Sequence, residues 1–271
     1  MLAEMRRQRI LEELKRKGGV RLTELTAALE VSEMTVRRDL DALQGEGLLE
    51  RVHGGAVATQ RGTEEPGFEK KLLREQTEKI AIAGLAANMV RPGSAIGLSA
   101  GTTTWALARR LASMDDVTVV TNSVNVWSEL QHPGRREASV ILSGGEFRTP
   151  SDALVGPTAD AALRSLYVDI LFLGVHGMDP VAGLTTPNIA EAETDRTFIS
   201  RAKRLVVLAD HTKWRTVALC TIAPLNEMDT LVSDSGLSEE GRRALSNQVG
   251  DLRLAPVDWS RAESGAEPFG A

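Results

Sequence analysis

The sequence predicts an α/β protein in which a small helical module precedes a larger domain built on a mostly parallel sheet. Three observations predict this fold class. Residues 31–43 have the pattern of a short capped helix that follows a tight turn. Residues 48–56 form a strand-like run followed by a glycine pair. From residue 78 onward, apolar runs of strand length alternate with helical patterns, as in parallel sheets that are covered on both faces.

The composition is that of an ordinary globular protein. The chain has 271 residues, of which 42% are hydrophobic and 25% charged, enough for one sizeable core and a smaller module. The single cysteine, Cys220, excludes a disulfide framework and favours a reducing compartment. Because no run approaches about 18 uninterrupted apolar residues, we expect no signal peptide, no membrane span and a cytoplasmic location.

The charge is unevenly divided along the chain. The net charge is −5, but residues 1–60 hold ten Lys or Arg and ten Asp or Glu, so all the excess acid lies after them. A neutral module is not a general polycation. Its affinity for nucleic acid must depend on where its arginines lie and should be sensitive to salt. These arginines are Arg6, Arg7, Arg9, Arg37, Arg38 and Arg51.

The first two predicted helices flank a short extended segment. Residues 5–17 form the first helix, which ends at the glycine pair 18–19, and residues 20–22 are extended. Thr23 is expected to cap the second helix, which runs to about residue 29. The predicted buried side of this second helix consists of Leu25, Ala28 and Leu29.

The third helix has a buried stripe and a basic outer face. Ser32 is its expected N-cap, and residues 36, 40 and 43 form the stripe. Arg37 and Arg38 lie away from the stripe, where a guanidinium group could bind guanine or phosphate in the major groove. Two helices joined by a short turn form a helix-turn-helix, whose second helix enters the groove. The expected DNA-binding residues of this helix are Ser32, Thr35, Arg37 and Arg38.

A small β-wing is predicted after the third helix. The strand-like run carries Arg51, and His53 precedes the glycine pair that permits a tight bend. Arg51 and His53 could contact the DNA backbone or the minor groove. His53 alone would be no more than a surface histidine, and an arginine pair on a helix is often only solvated. The order and spacing of the helix pair, the arginine-bearing third helix and the wing together predict DNA binding.

The first module resembles the DeoR family of bacterial transcriptional regulators. The resemblance is carried by Val31-Ser32-x-x-Thr35-Val36-Arg37-Arg38-Asp39-Leu40 and by Arg51-Val52-His53-Gly54-Gly55-Ala56. It implies a winged helix-turn-helix joined to a sugar-phosphate sensor domain.

The domain boundaries follow from changes in composition. Residues 1–57 form the predicted DNA-binding domain, and residues 58–74 form a linker because they show no sustained periodicity. Residues 75–255 form the α/β domain, and residues 256–271 form a flexible tail. The expected strands are 95–98, 117–121, 139–142, 168–173 and 205–209, with further strands at 219–222, 230–232 and 252–255. The expected helices are 79–89, 102–111, 124–130, 160–166, 190–202 and 239–248.

The most informative turn of the second domain is Ser99-Ala100-Gly101-Thr102-Thr103-Thr104. It leaves a strand, bends at a glycine and enters a helix that begins with three hydroxyls. Free N–H groups and hydroxyls at a helix N-terminus suit an anion such as phosphate. The alternative is a threonine cap that satisfies only its own backbone, and the residue types are compatible with both.

Other predicted strands also end in polar, glycine-bearing turns. These turns lie at 121–123, 143–146, 174–177 and 210–213. Asn122 and Asp210 could bind hydroxyls, and Lys213 could supply charge. One such turn is only a turn, but their recurrence at successive strand ends favours a shared polar pocket. Neither of the glycine-rich nucleotide-binding patterns is present, so no nucleotide cofactor is expected.

Residues 75–235 are similar to the DeoR-type sensor domain. The resemblance is carried by Gly101-Thr102-Thr103-Thr104, Leu142-Ser143-Gly144-Gly145, Asp210-His211-Thr212-Lys213 and Glu191, among other segments. It implies a Rossmann-like sheet of the sugar-phosphate isomerase and CoA-transferase type. Many members have aspartate where this chain has Ser99. The residues implied around the effector are Ser99, Gly101, Thr102, Thr103, Thr104, Asn122, Gly144, Gly145, Glu191, Asp210 and Lys213.

Three functions remain open. The expected one is a transcriptional repressor of a sugar or polyol operon that binds double-stranded operator DNA as a homo-oligomer, a dimer or higher, and is released by a phosphorylated sugar or polyol. The second is a sugar-phosphate isomerase with an appended DNA-binding module, since Glu191, Asp210 and Lys213 offer acid–base groups. The third is a DNA-binding protein whose second domain only oligomerises. We expect no catalytic residue, no metal and no cofactor.

Overall fold

The computed structural model describes residues 3–17, 19–45, 49–52, 54–58, 66–131, 139–147 and 150–257. The chain divides into two compact units, Met1–Arg61 and Gly62–Ala271. His53, the glycine at the end of the first predicted helix and most of the predicted tail lie outside the described residues.

The first unit is a winged helix-turn-helix. Its helices are α1 (Ala3–Lys17), α2 (Leu22–Leu29) and α3 (Glu33–Gly45). Its strands are β1 (Gly19–Arg21), β2 (Leu49–Val52) and β3 (Gly55–Ala58), which form an antiparallel sheet in the order β1-β3-β2. The predicted three helices and wing are confirmed.

The predicted stripe of α3 is buried in the core of this unit. Val36 and Leu40 are fully buried, and Leu43 is 1% exposed. They pack in one apolar cluster with residues of α1 and α2. The 3.6-residue period therefore identified the inner face of α3 correctly.

Two predictions about α2 are wrong. The helix begins at Leu22, so Thr23 lies inside it and does not cap it; Arg21 occupies the N-cap position without a side-chain hydrogen bond. The reason is tertiary, because Leu22 is buried and its N–H donates to the carbonyl of Gly54 in the wing at 2.7 Å. Ala28 is exposed, since it lies beside the stripe formed by the buried leucines of α2.

The second unit alternates helices and strands. Its helices are α4 (Phe68–Leu72), α5 (Gln76–Ala87), α6 (Thr102–Leu111), α7 (Val124–Glu129), α8 (Pro157–Arg164), α9 (Ile189–Ile199) and α10 (Glu239–Ser246). Its strands are β4 (Ala95–Leu98), β5 (Thr118–Thr121), β6 (Ser139–Leu142), β7 (Glu146–Phe147), β8 (Leu154–Val155), β9 (Ile170–Gly174), β10 (Gly177–Asp179), β11 (Gly183–Thr186), β12 (Leu205–Leu208), β13 (Cys220–Ala223), β14 (Thr230–Asp234) and β15 (Leu252–Ala255).

Seven strands form a parallel sheet in the order β15-β14-β12-β9-β4-β5-β6, which confirms the predicted parallel sheet. The chain runs outward from β4 in one direction and outward from β9 in the other. The strand order therefore reverses between β4 and β9. Open α/β sheets bind ligands at such a switch point, outside the carboxyl ends of the strands.

Alternate residues of the central strands belong to two cores. In β9, Ile170 and Phe172 share a core with α5, α6 and α7, whereas Leu171 and Leu173 share the other with α8, α9 and α10. Because both faces of the strands are covered, their sequences read as continuous apolar runs.

The structure corrects three further expectations. The run at 219–222 forms β13, which joins β10 and β11 in a separate antiparallel sheet. The short strands β7, β8, β10 and β11 were not predicted, because none of them carries an apolar run of strand length. The predicted linker contains α4, whose Phe68 is buried and lies edge-on against Trp105, with 6.2 Å between ring centroids.

Among the described residues, no helix is both long enough and apolar enough to cross a bilayer.

Candidate functional site

The N-terminus of α3 is fixed by two hydroxyls. Ser32 Oγ accepts a hydrogen bond from the N–H of Thr35 at 3.3 Å and lies 2.9 Å from Thr35 Oγ1. The carbonyl of Ser32 accepts from Val36 N–H at 3.1 Å. Ser32 is therefore the N-cap of α3, as predicted. The side chains of Ser32 and Thr35 lie at the end of the helix that would enter a groove.

Arg37 and Arg38 are both exposed on the outer face of α3. Arg37 Nη2 lies 3.6 Å from Glu33 Oε2, one helical turn away. Arg38 forms no ion pair within the part of the chain that the structure describes. Its guanidinium group is thus the less compensated of the two cations.

Arg51 and the N-terminal arginines have partners inside the unit. Arg51 of β2 pairs with Asp41 of α3. Asp39, which is 3% exposed, accepts from Arg6 Nε at 2.7 Å and lies 3.5 Å from Arg7 Nε. Arg6 and Arg7 therefore join α1 to α3 through a buried carboxylate. This role is not evident from the sequence, because residues 6 and 39 are far apart in the chain.

In the second unit, polar turns follow the carboxyl ends of four adjacent strands. Asp210 follows β12, His176 follows β9, the turn 99–101 follows β4 and Asn122 follows β5. Neighbouring strands lie about 4.8 Å apart. These four turns therefore line one edge of the sheet at the switch point, and we call this place the switch-point crevice.

The turn into α6 requires glycine and presents a helix N-terminus. Gly101 has φ 150° and ψ 162°, a conformation that is essentially restricted to glycine. The first N–H groups of α6 have no acceptor within the helix. Thr104 Oγ1 donates to the carbonyl of Gly101 at 2.9 Å, so this hydroxyl is used within its own turn. The hydroxyls of Thr102 and Thr103 have no hydrogen-bond partner within the described residues.

Ser99 and Asn122 hold this turn in place. Ser99 Oγ accepts from the N–H of Gly174 at 3.0 Å, which ties the ends of β4 and β9 together. Asn122 Oδ1 accepts from Ala100 N–H at 3.1 Å, and its Nδ2 donates to the carbonyl of Leu154 at 3.2 Å. Ser99 is 1% exposed and Asn122 is 2% exposed. Both side chains are used to position the backbone.

Gly144 and Gly145 follow β6 with φ values of 71° and 124°. A Cβ atom on Gly145 would lie 2.7 Å from the carbonyl oxygen of Val155, so the backbone packs too closely there for a side chain. Glu191, in the first turn of α9, is buried and accepts hydrogen bonds from the hydroxyls of Ser151 and Thr186. Among the described residues, no hydrogen bond or ion pair joins Glu191 to the Asp210 turn.

Asp210 is a buried carboxylate with one oxygen in use. Its Oδ1 accepts from the N–H and the hydroxyl of Thr212, whereas Oδ2 is buried without a partner among the described residues. Burial raises the pKa of Asp210, but Lys213, the Thr212 hydroxyl, Lys79 and His211 together lower it below the ordinary value. The carboxylate is therefore ionised, and the half-buried Lys213 lies close to it.

A charged cluster at the start of α5 lies beside Asp210, and it was not predicted from the sequence. Lys79 is 3% exposed and donates to the carbonyls of Lys71 and Arg74; burial lowers its pKa to about 8. Burial, followed by Asp210 and Glu78, raises the pKa of Glu75. The only sequence signal was a charged group on an otherwise apolar helix.

His211 provides a cation to this cluster. Its Nδ1 lies 2.9 Å from Asp234 Oδ1, and this hydrogen bond raises the pKa of His211 to about 9. Glu75, Glu78 and His211 each place a possible metal-ligating atom within 4.8 Å of the others. Because His211 is protonated near neutral pH, these carboxylates already face a positive charge.

The His211–Asp234 pair should make stability depend on pH. The folded-state pKa of His211 is about 9, against an ordinary 6.5, so its contribution is complete below pH 6.5 and is lost as pH rises through 9. We expect this contribution to the free energy of unfolding, taken as the difference between the wild type and His211→Gln, to fall by about 1 kcal/mol between pH 6.5 and pH 8, after allowance for solvent screening. Urea unfolding at both pH values measures this difference in the free energy of unfolding.

The control for this prediction is His211→Gln, which should remove the fall. The window ends at pH 8 because Lys79, whose pKa is lowered to about 8, restores stability as pH rises further. An unchanged pH slope in the variant would assign the effect to other groups.

His176 is the second unpartnered group of the crevice. It is 8% exposed, and its Nε2 is buried without a hydrogen-bond partner among the described residues. Burial, followed by the positive charges of Lys213 and Lys71, lowers the pKa of His176 to about 4. The imidazole is therefore neutral at physiological pH. From the sequence, His176 is predicted only to lie in a strand-end turn.

Comparison with known proteins gives matches over both units. A family model described as the DeoR C terminal sensor domain matches residues 74–235, and one described as a DeoR-like helix-turn-helix domain matches residues 6–61. The regulator YgbI of Escherichia coli K12, named an uncharacterized HTH-type transcriptional regulator, is 38% identical over 254 residues, covering 94% of this chain and 98% of that protein. The transcriptional repressor AccR of Agrobacterium fabrum is 34% identical over 233 residues, covering 85% and 89%.

Solved structures give more distant matches. Ribose 5-phosphate isomerase A of Methanocaldococcus jannaschii is 20% identical over 52% of this chain and 54% of its own, with a TM-score of 0.38. A score this low supports no conclusion about function.

Proposed function

Because the chain belongs to the DeoR family of DNA-binding transcriptional regulators, we propose that it represses a sugar or polyol operon and leaves its operator when a phosphorylated sugar or polyol binds the second unit. The observation that carries this proposal is the switch-point crevice, where a helix N-terminus, a buried carboxylate and a lysine meet at one sheet edge. Relatives are named as transcriptional regulators, which favours this role over the isomerase alternative.

The operator is bound through α3. Arg38 and Arg37 lie on its exposed face, and Ser32 and Thr35 lie at its N-terminus, where recognition helices contact DNA. Arg51 takes part through the wing, although its guanidinium group is shared with Asp41. His53, which lies outside the described residues, is retained as a DNA contact on the sequence pattern.

The phosphate group binds at the N-terminus of α6. The N–H groups of its first turn and the hydroxyls of Thr102 and Thr103 supply donors, and the helix dipole favours an anion. Asp210 accepts from a sugar hydroxyl, and Lys213 contributes positive charge. Ser99, Gly101, Thr104 and Asn122 act by positioning this turn.

Gly144, Gly145 and Glu191 complete the proposed effector site. The two glycines follow β6, at the same sheet edge as the turn into α6; Gly144 has open space where a side chain would lie, whereas Gly145 packs closely against Val155. Glu191 acts through Ser151 and Thr186, which it holds by hydrogen bonds.

Regulation requires that the effector favour one arrangement of the DNA-binding units over another, since coupling is a difference in free energy between states. We propose a homo-oligomer, a dimer or higher, because helix-turn-helix proteins use two-fold symmetry to match a palindromic operator. Such a regulator would act in the cytoplasm, where a reducing environment suits the single free Cys220.

The proposal is tested by operator release. The full-length protein is bound to a fluorescent duplex selected from a random pool, and anisotropy is followed on addition of ribose 5-phosphate, fructose 1-phosphate, glucosamine 6-phosphate or glycerol 3-phosphate. At least one should weaken DNA binding about tenfold or more, as expected for a coupling energy above about 1.4 kcal/mol.

The matched controls are the same compounds without phosphate, which should leave the complex intact. An operator complex that withstands every phosphorylated compound at saturation would contradict the inducer proposal. Turnover of any of these compounds by the protein would instead support the isomerase alternative.

A further inference from the structure

His176 occupies a defined position at the switch point. It lies two residues beyond the end of β9, where Gly174 is bound to Ser99 Oγ. Its own N–H donates to the carbonyl of Thr185 in β11 at 3.1 Å, which fixes its backbone. The imidazole is therefore held on ordered structure at the place where an open α/β sheet receives its ligand.

The register of the sheet places the turns that carry His176 and Asp210 at adjacent strand ends. Strands β9 and β12 are parallel neighbours, and Gly174 is paired with Leu208. His176 and Asp210 each lie two residues after this pair, in the turns that leave the two strands. The positive charge of Lys213 influences the pKa of both side chains, so all three groups share one neighbourhood.

Both side chains keep one polar atom unused. His176 Nε2 and Asp210 Oδ2 are buried and have no hydrogen-bond partner in the described part of the chain. A buried polar atom without a partner costs stability, so native proteins seldom keep one unless it serves another purpose. Two such atoms on adjacent strand ends indicate a partner that comes from outside the chain.

We propose that His176 Nε2 binds a hydroxyl group of the effector, next to the hydroxyl that Asp210 Oδ2 binds. This inference rests on the proposed function and names a further recognition residue of that site. The ligand class is a phosphorylated compound that carries neighbouring hydroxyl groups away from its phosphate.

Hydroxyl chemistry suits this pair. An ionised Asp210 only accepts hydrogen bonds, whereas a neutral imidazole nitrogen either accepts or donates one, depending on the tautomer. A hydroxyl both donates and accepts, so two neighbouring hydroxyls satisfy both side chains at once. A site built this way rejects an analogue that lacks one hydroxyl, because the protein atom is then left unpaired.

The test compares His176→Met with His176→Gln in the full-length protein. Methionine fills a similar volume without a comparable hydrogen-bonding atom, whereas the glutamine amide keeps one near the position of Nε2. Ser233→Ala is the matched control, because Ser233 Oγ is also buried and unpartnered but lies within β14. Calorimetric titration with the four phosphorylated compounds above and with inorganic phosphate gives affinities, and thermal unfolding gives the ligand-free Tm.

The expected result is a loss of about 10- to 100-fold in sugar-phosphate affinity in His176→Met. Affinity for inorganic phosphate and the ligand-free Tm should stay the same, or the Tm should rise. His176→Gln should recover part of the affinity, and Ser233→Ala should bind as the wild type does.

Three results would overturn the inference. Unchanged sugar-phosphate affinity in His176→Met would show that the imidazole does not touch the ligand. A ligand-free Tm lowered by several degrees would make His176 a structural residue. An equal loss for inorganic phosphate would remove the hydroxyl assignment. If the wild-type protein binds none of these phosphates, the proposed function itself fails, which is a distinct result.

Discussion

Replacing Arg38 by alanine should weaken operator binding by about 1 to 3 kcal/mol for each bound helix, or roughly 5- to 150-fold. Arg38 is exposed on α3 and has no ion pair among the described residues, so its guanidinium group is available to a base edge or a phosphate. Because the side chain is exposed, the Tm should not change. Fluorescence anisotropy with the selected operator and with a scrambled duplex measures the loss.

Three matched variants sharpen this prediction. Arg37→Ala should have a smaller effect, because Arg37 already lies 3.6 Å from Glu33. Lys203→Ala removes an exposed cation of the second unit, paired with Asp169 at 2.8 Å, and should leave DNA binding unchanged. If Arg38 reads guanine, Arg38→Lys should keep the affinity for the scrambled duplex but bind the operator no more tightly than that duplex. Operator binding preserved in Arg38→Ala would mean that another face of α3 enters the groove.

The double variant Thr102→Val, Thr103→Val should weaken effector binding by about 10- to 100-fold. Each hydroxyl is proposed to donate to a charged phosphate, and a hydrogen bond to a charged group contributes about 1.5 to 3 kcal/mol. Operator affinity in the absence of effector should be unchanged. Titration of the phosphorylated compound that releases the operator measures the first effect, and anisotropy measures the second.

The matched control is Thr102→Ser, Thr103→Ser, which keeps both hydroxyls and should bind nearly as the wild type does. Thr104→Val is a second control, which shows the effect on stability of losing a hydroxyl that is bonded within the turn. It removes the hydroxyl that donates to the Gly101 carbonyl and should lower stability by about 1 kcal/mol. Equal effector affinity in the double valine variant would place the phosphate away from the N-terminus of α6.

The order and type of most helices and strands followed from local sequence patterns. The spacing of Val36, Leu40 and Leu43 predicted the buried face of α3, and Ser32 was correctly predicted as its N-cap. The apolar runs gave the seven strands of the parallel sheet. These features depend on residues within about one helical turn or a few strand positions of each other, so local sequence patterns are sufficient to predict them.

The roles of polar residues were harder to predict. Ser99 and Asn122 are predicted to lie around the effector, and their polar atoms also hold the turn between β4 and α6, which the sequence pattern did not show. Arg6 was grouped with possible DNA contacts, but it is bound to Asp39. A residue type shows what a side chain is able to bind, whereas its partner depends on segments that are distant in the chain.

The sequence by itself determined the winged helix-turn-helix, the alternating α/β domain and the turn that begins α6, because each is encoded by neighbouring residues. Only the tertiary structure placed the turns that carry His176 and Asp210 at adjacent strand ends, since this arrangement depends on the pairing of Gly174 with Leu208 across two strands. Only it joined His211 to Asp234. The physical reason is that burial and long-range register decide which polar atoms are satisfied within the chain and which are left for a ligand.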